Sequence, residues 1–289
     1  MALLALLLVA VQTPDTGLSA RIAARIAATP ARAVGVYFRD LTTGDSALVG
    51  AQLRFHAAST MKVPVMIQLY RDHDAGQLAL DDSILVTNTF KSIVDSSPYQ
   101  LDKTDDSDST LYLRVGGKAS IRELVELMET VSSNLATNLL IARVGAPRAN
   151  ATAHALGADS IVVLRGVEDG KAYRAGRSNT TTGRDLGMLL AAIAQGRAAS
   201  PAACREMLEI LGRQQFKEGI PAGLPPGTRV FHKTGWIGSV VYHDAAIVER
   251  PDGRRYVLVV LTGGIQKDED AYRLVSDVSR MIYAANTRR

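Results

Sequence analysis

The chain is poor in cysteine and in aromatic side chains, and both shortages limit what it can be. Cys204 is the only cysteine among 289 residues, so no disulfide can form within the chain. It stands in a helical pattern with Met207 and Leu208, which predicts a small buried side chain. One Trp, five Phe and nine Tyr give few rings that could stack on bases, and the 33 basic residues form no basic run. We therefore expect no nucleic-acid partner and interpret the net charge of +4 as a solvated basic surface.

Long apolar runs and metal-ligand spacings are scarce as well. Residues 2–11 (ALLALLLVAV) are about ten apolar residues, too few to span a bilayer, and no later segment is apolar enough to do so. This run predicts a signal peptide over residues 1–14, a periplasmic or secreted protein, and no membrane span once the signal is removed. No two His lie at ligand spacing and no H-E-x-x-H motif occurs, so we expect neither a metal nor a cofactor.

The predicted elements run from strands through many helices back to strands, with a helix at each end. The predicted segments are a helix over 18–28, strands over 33–40 and 47–50, a surface loop over 81–118, strands over 229–234, 240–249 and 255–262, and a helix from Asp268. This order predicts an α+β protein, in which an antiparallel sheet flanked by helices carries an inserted all-helical lobe. We place the α/β lobe at roughly 15–58 and 200–289 and the helical lobe at roughly 59–199.

Capping residues mark helix ends in the middle of the chain. Ser120 and Glu123 form a capping box that opens one helix. Gly145 and Pro147 are predicted to close another helix, over 135–144.

Ser59 and Lys62 are the first pair that could carry chemistry, in the stretch FHAASTMKVPVMIQLY. Positions i and i+3 of a helix share a face, so both side chains can point into one cleft. A serine hydroxyl needs an adjacent base to become a nucleophile, and a lysine whose pKa is lowered by burial can be that base. A Ser-His-Asp triad that uses His56 is the alternative, but no G-x-S-x-G motif accompanies it.

Two further motifs follow Ser59-Thr60-Met61-Lys62 at separations of 73 and 101 residues: Ser132-Ser133-Asn134 and Lys233-Thr234-Gly235. The glycine of the last motif permits close approach of a ligand to the strand backbone. Together, in this order, the three motifs resemble the signature of class A β-lactamases and penicillin-binding proteins, over essentially all of residues 15–289.

The resemblance implies a fold, the β-lactamase/transpeptidase fold, and roles for the motif residues. Ser59 would be the acylated nucleophile and Lys62 its general base or proton relay. Ser132 would pass a proton to the leaving nitrogen, and Asn134 would hold the substrate amide.

The third motif would bind the other end of the substrate. Lys233 and Thr234 would bind the substrate carboxylate. The backbone N–H groups of Ser59 and Trp236, the residue after Gly235, would form the oxyanion hole.

The segment that should activate the deacylating water departs from the family pattern. Glu168 is the expected general base, with Asp169 as the second choice. The Asn that holds the water in the family, four residues beyond the Glu, is Ala172 here. The ion pair that braces the family's loop would be replaced by a hydrogen bond between Arg165 and Asn179.

Three other positions differ from the family pattern. Ser133 replaces the usual Asp of the second motif, and His232 replaces the usual Asp before Lys233. The strand arginine that assists carboxylate binding has no clear match, and His243 is expected near its place.

We therefore expect a monomeric serine hydrolase that acts on β-lactam or peptidoglycan-like substrates, most simply a class A-like β-lactamase. A D,D-peptidase or esterase with slow deacylation is the alternative that the altered loop favours. A non-catalytic β-lactam or peptidoglycan sensor is the third possibility.

Overall fold

The computed structural model describes residues 16–287, so the predicted signal peptide lies outside the described residues. No helix in this range has the length and apolar character that crossing a bilayer requires. The described range contains nine α-helices: α1 Thr16–Ala27, α2 Lys62–Asp74, α3 Ile121–Thr130, α4 Asn134–Val144, α5 Ala146–Ala155, α6 Gly170–Arg174, α7 Gly183–Ala194, α8 Pro201–Gly212 and α9 Asp268–Asn286. Its strands are β1 Ala33–Asp40, β2 Ser46–Val49, β3 Phe55–His56, β4 Ser83–Leu85, β5 Thr89–Lys91, β6 Pro98–Gln100, β7 Lys118–Ser120, β8 Thr180–Thr181, β9 Arg229–Ile237, β10 Val241–Glu249 and β11 Arg255–Gly263.

A five-stranded antiparallel sheet has the strand order β2-β1-β11-β10-β9. It combines two strands from early in the chain with three strands from late in the chain. Successive residues of β11 serve opposite faces: Leu258 packs in the core under α1 and α9, and Val259 packs in the core shared with the other helices. A strand that is buried on both faces is apolar at almost every position, which explains the run YVLVVL. The prediction of an α+β architecture is confirmed.

Helix α2 is the centre of the helical part of the molecule. All residues from Lys62 to Tyr70 are buried, and α3, α4, α5 and α8 pack around this helix. A helix that is surrounded on all sides must be apolar on most of its surface, so its buried polar side chains, Lys62, Gln68 and Asp72, need internal partners. Helix α2 is therefore a rigid support for Lys62.

The strands of the sheet and the terminal helices lie where the sequence predicts them, whereas two predictions were incomplete. Segment 81–118 is not only loop, because short ladders form between β4 and β7 and between β5 and β6. Pro147 does not end a helical region. Gly145, at φ +80°, ends α4 as predicted, and Pro147 lies in the first turn of α5, where proline is well tolerated because its missing N–H has no partner there.

Two further local predictions can be compared with the structure. Ser120 caps α3 by accepting a hydrogen bond from the N–H of Glu123, as predicted, but the Glu123 carboxylate binds Arg114 and does not return to Ser120. Cys204 is buried in α8, as predicted.

Candidate active site

Ser59 lies on a short 3-10 turn, Ala58–Met61, that leads into α2. This turn packs against β9 at Gly235, where a Cβ atom would lie 3.1 Å from Ala58 Cβ and 3.2 Å from Ser59 N. A side chain at position 235 would push the strand away from the turn, so the glycine sets the distance between the serine and the strand. Ala58 has φ +46°, a strained value for alanine that the surrounding structure must enforce.

Lys62 is fully buried and is aimed at the second motif. Its Nζ donates hydrogen bonds to the carbonyl oxygen of Ser132 at 2.7 Å, to Ser132 Oγ at 3.0 Å and to Asn134 Oδ1 at 3.2 Å. Among the hydrogen bonds of residues 16–287, none joins Lys62 Nζ to Ser59 Oγ. Burial, and secondly the charge of Lys233, hold the pKa of Lys62 well below its usual range. A neutral Lys62 amine could therefore accept a proton near neutral pH.

Lys233 reaches the same hydroxyl from the opposite side. Its Nζ donates to Ser132 Oγ and to the carbonyl oxygen of Thr234, both at 3.0 Å. Burial lowers the pKa of Lys233 as well. A hydroxyl has two acceptor lone pairs and one proton, so two amines that occupy the lone pairs leave the Ser132 proton free to point into the cleft. This arrangement suits a proton donor.

Glu129 is a third charged group beneath these lysines, and the sequence analysis missed it. It lies in the last turn of α3 and is completely buried, and neither carboxylate oxygen has a hydrogen-bond partner within the described chain. Burial raises the pKa of Glu129, while the charges of Lys233 and Lys62 act in the opposite direction. The partly exposed Glu126 precedes it by three residues, so nothing in the sequence distinguishes Glu129 from a surface carboxylate.

Asn134 begins α4 and links Lys62 to the cleft. Its Oδ1 accepts from Lys62, and its Nδ2 lies 3.4 Å from Glu168 Oε1. The carboxylate of Asp106 accepts from the N–H groups of Asn134 and Leu135 and so fixes the start of the helix.

Ser133 explains why the second motif can lack its usual Asp. The side chain is buried and caps α4 by accepting a hydrogen bond from Ala136 N at 3.3 Å. N-capping is a task that Ser and Asp share, so the substitution keeps the helix start in place.

Glu168 faces the cleft from the loop that precedes α6, and Asn138 of α4 holds this loop. Asn138 Oδ1 accepts from Val167 N at 2.7 Å, and its Nδ2 donates to Val167 O at 3.0 Å. A Cβ at Gly166 would lie 2.3 Å from Asn138 Oδ1, so only glycine permits this approach. Desolvation and the nearby Asp105 raise the pKa of Glu168, whose backbone has φ +61°. Sequence analysis did not identify Asn138.

Asp169, the second choice for the water-activating base, serves a different purpose. Its carboxylate accepts hydrogen bonds from Ser92 Oγ, Ile93 N and Ala172 N, at 2.9 to 3.0 Å, and caps α6. Burial alone would raise the pKa of Asp169, but these hydrogen bonds outweigh it and keep the pKa below its usual range. The structure therefore favours Glu168 over Asp169.

The predicted hydrogen bond between Arg165 and Asn179 is present. However, the side-chain amide of Asn179 binds the main-chain N–H and C=O of Arg165 and not its guanidinium. Asn179 Oδ1 accepts from Leu164 N and Arg165 N, and its Nδ2 donates to Arg165 O at 2.9 Å. The guanidinium instead binds the carbonyl oxygens of Arg177 and Gly166. An amide can donate and accept at once, so Asn179 braces both backbone groups of Arg165 where a carboxylate could only accept.

The histidines near the site are structural. His243 pairs with Gly235 across β9 and β10, near the third motif, but its completely buried ring does not line the cavity; the ring nitrogens bind His56 O and Thr262 N. His232 is buried as well, and its Nδ1 lies 2.9 Å from Asp244 Oδ1. His56 Nδ1 accepts from Ala58 N, and no hydrogen bond within residues 16–287 connects it to Ser59, which removes the support for a Ser-His-Asp triad.

A cavity of about 730 Å³ contains Ser59, Ser132, Asn134, Glu168, Thr234, Gly235 and Trp236 in its lining. A second one of about 260 Å³ continues it past Glu168 towards Arg165 and Tyr173. The structure thus brings the three motifs and Glu168 together around one cleft. In the described part of the chain, no three His, Cys, Asp or Glu side chains are grouped so that they could hold a metal ion.

Comparison of the chain with known proteins defines its family. A model of the β-lactamase enzyme family matches residues 17–285. The chain therefore belongs to the β-lactamase enzyme family. A β-lactamase of Streptomyces lavendulae is 27% identical over 237 residues, which are 79% of this chain and 73% of that protein.

Solved structures show the same fold. PBP-A is 31% identical with a TM-score of 0.83, over 96% of this chain and 98% of that one. A single-residue variant of PBP-A has been solved as an acyl-enzyme with penicillin G. A β-lactamase from Sphaerobacter thermophilus DSM 20745 is 30% identical with a TM-score of 0.80, over 94% of this chain and 98% of that one. The expected β-lactamase/transpeptidase fold is confirmed.

Proposed function

We propose that the protein is a serine hydrolase that opens β-lactam amide bonds through an acyl-enzyme on Ser59, as class A β-lactamases do. The observation that carries the proposal is the convergence of Ser59, the Lys62–Ser132–Lys233 cluster and Glu168 on one cleft. The cluster supplies the acylation half of the reaction, and Glu168 supplies a base for the hydrolytic half.

In acylation, Ser59 Oγ attacks the lactam carbonyl carbon and gives its proton to the neutral amine of Lys62. The backbone N–H groups of Ser59 and Trp236 stabilise the oxyanion, an effect worth about 3–4 kcal/mol per donor in comparable sites. As the C–N bond breaks, Ser132 donates its proton to the leaving nitrogen and recovers one from Lys62. Lys233 and Thr234 bind the substrate carboxylate, and Asn134 binds the amide of the acyl side chain.

In deacylation, Glu168 takes a proton from a water molecule that attacks the ester carbonyl. The ester bond breaks, and the proton that Glu168 took from the water is returned to Ser59 Oγ, which restores both groups. The raised pKa of Glu168 brings it closer to working pH and makes it a stronger base than an ordinary carboxylate. Ala172 has no polar side chain to hold this water, so Asn134 and Glu168 must orient it.

A second candidate, a D,D-peptidase that acylates and releases slowly, is favoured by Ala172 and by the likeness to PBP-A. Intact-mass analysis after mixing with penicillin G separates the two. A β-lactamase shows a transient adduct on Ser59 and steady turnover, and the Glu168→Gln variant accumulates the adduct. An adduct that persists for hours on the wild-type protein would favour the peptidase instead, and the absence of both adduct and turnover would refute both.

We also propose that the protein acts outside the cytoplasm, because residues 2–11 form an apolar run typical of a signal peptide. We further propose that it is a monomer. Cell fractionation and light scattering test these two points.

A further inference from the structure

One end of the cleft is both acidic and aromatic. Beyond Thr234 the cavity is lined by Phe216, Glu218, Trp236, Tyr242, Asp268 and Tyr272, which we call the distal arm. The cavity lining carries Asp105, Asp106 and Glu168 around Asn134, together with Glu218 and Asp268 in the distal arm, and, within the described chain, no Arg or Lys. Lys217 and Lys267 are sequence neighbours of Glu218 and Asp268 but do not line the cavity. The negative charge of the distal arm thus has no cation in the cavity wall to balance it.

The rings of the distal arm form a connected surface. Tyr242 and Trp236 are paired across β9 and β10, and Tyr272 meets Tyr242 edge to face with ring centroids 4.7 Å apart. Trp236 is 55% exposed, although its Nε1 is fixed to Asp268 Oδ1 at 3.0 Å. A large exposed indole that is held in place by a carboxylate has its face available to a ligand.

Tyr242 forms the buried part of the distal arm. The residue lines the cavity but is only 5% exposed, and its hydroxyl is buried with no hydrogen-bond partner in the described chain. Burial raises the pKa of this phenol most, followed by the charge of Asp244, with smaller contributions from Glu218 and Asp268. The hydroxyl lies beside Gly219 and Asp244, so Tyr242 contributes its ring, and not its hydroxyl, to the cavity lining.

We propose that the distal arm is a cation subsite that selects substrates with a positively charged group beside their carboxylate. Aromatic faces attract quaternary or aromatic cations through their quadrupoles, and Glu218 and Asp268 add direct charge attraction. The placement of the substrate rests on the proposed function. Because the carboxylate lies at Lys233 and Thr234 and the side-chain amide at Asn134, the group attached next to the carboxylate extends into the distal arm.

The charged residues at the opposite end of the cleft are consistent with a cation in the distal arm. The smaller cavity contains Arg165 and no carboxylate other than those of Glu168 and Asp169, and the latter is already occupied by three hydrogen bonds. The substrate's acyl side chain would face that end. A cation is therefore expected to be favoured at the carboxylate-bearing end of the substrate.

The first test does not depend on Ser59. Trp236 is the only tryptophan of the chain and lines both the distal arm and the smaller cavity, so the tryptophan fluorescence reports on binding in the cleft, and the variant below assigns it to the distal arm. Choline should change this fluorescence saturably, while its uncharged isostere 3,3-dimethyl-1-butanol should not. The double variant Glu218→Gln/Asp268→Asn, whose amide at 268 can still accept from the indole, should lose the choline response. An equal response to both compounds, or none to choline, would overturn the proposal.

The second test uses two cephalosporins with the same thienylacetyl side chain, cephaloridine with a pyridinium at C3′ and cephalothin with an acetoxy group. The ratio of their acylation rates at Ser59 should fall about five- to tenfold in the double variant. The matched control Asp252→Asn/Glu269→Gln removes the same charge outside the cavity and should keep the wild-type ratio. An unchanged ratio in the first variant would refute the subsite. If neither compound acylates Ser59, the proposed function fails, and the choline titration still decides the subsite.

Discussion

Lys62 binds Ser132 at two atoms, with its Nζ 2.7 Å from the carbonyl oxygen and 3.0 Å from Oγ. The double contact accompanies a backbone φ of +60° at Ser132, a value that few serines adopt. The lysine thus fixes the backbone of the proton donor as well as its hydroxyl. In the proposed mechanism, the same side chain receives the Ser59 proton.

Replacing Lys62, the proposed general base, should slow acylation strongly while the protein stays folded. We expect Lys62→Met to lower the rate of adduct formation on Ser59 by about 10²–10⁴-fold, the usual contribution of a general base. The measurement is the second-order rate constant for penicillin acylation by intact mass. Lys118→Met, which changes an exposed lysine of β7, is the matched control and should acylate at the wild-type rate. A Lys62→Met protein that acylates normally would assign the base elsewhere.

Glu129→Gln should change the pH profile more than the rate at neutral pH. The negative charge of Glu129 raises the pKa of Lys233, so its removal lowers that pKa and leaves less cationic Lys233 to bind the carboxylate at alkaline pH. We expect the alkaline limb of kcat/KM to move to lower pH by on the order of one unit, the size of shift that a nearby charge causes.

Glu126→Gln, at a partly exposed position of the same helix, is the control for that profile. It breaks an ion pair with Arg213 and should leave the alkaline limb in place. The same limb in Glu129→Gln and in the wild type would show that Glu129 has no influence on the lysines.

The sequence was sufficient to locate the three motifs and the strands that carry them, because both leave local signals. The sheet strands are apolar runs, and Gly235 stands where a strand approaches another backbone. The residues that were missed have no such signal. Glu129 resembles a surface residue of an amphipathic helix, and Asn138 resembles an ordinary helix interior position. Their roles come from tertiary contacts with residues about 30 to 100 positions away.

Helix α5 was absent from the predicted elements for a different reason. Its sequence APRANATAHA has few large apolar residues, so it lacks the periodic pattern that predicts a helix. It is stabilised by packing of small residues such as Ala149 and Ala153 against α2, where close approach is possible. Proline is common both just after a helix and in the first turn of the next one, so Pro147 alone does not distinguish the end of α4 from the start of α5.

Asn138→Ala should slow deacylation much more than acylation. Without the amide, Val167 loses both of its hydrogen bonds to α4 and the neighbouring Glu168 is no longer held. We expect a loss of about 1–3 kcal/mol in the free energy of unfolding and a deacylation rate lower by about 10²-fold. Burst kinetics with a chromogenic cephalosporin measure both steps.

Asn150→Ala tests whether that effect is specific to Glu168. Asn150 of α5 binds the N–H and the carbonyl of Val163 in the same way, five residues before Glu168. Its loss should cost similar stability and leave deacylation within a few-fold of the wild type. Equal slowing in both variants would mean that loss of stability, and not the position of Glu168, controls the step.

His243 should make the protein lose stability below neutral pH. Burial lowers its pKa from 6.5 to about 4, and Nδ1 accepts from Thr262 N, so a proton there would face an N–H donor. Because the folded pKa lies below the unfolded one, the unfolded chain binds the extra proton first. The stabilisation is thus fully present above about pH 6.5 and is lost as pH falls towards 4, an effect of about 3 kcal/mol from 1.36 kcal/mol per unit.

Urea unfolding at several pH values between 7.5 and 4 measures this loss. We expect the decrease to be smaller by about that amount in His243→Gln, and to be unchanged in His73→Gln, which alters an exposed histidine of α2. If His243→Gln does not fold, the imidazole resonance of His243 in the wild-type protein gives the same information by NMR. It should show no titration above pH 5, and a midpoint near 6.5 would contradict the assignment of His243 as a buried neutral histidine.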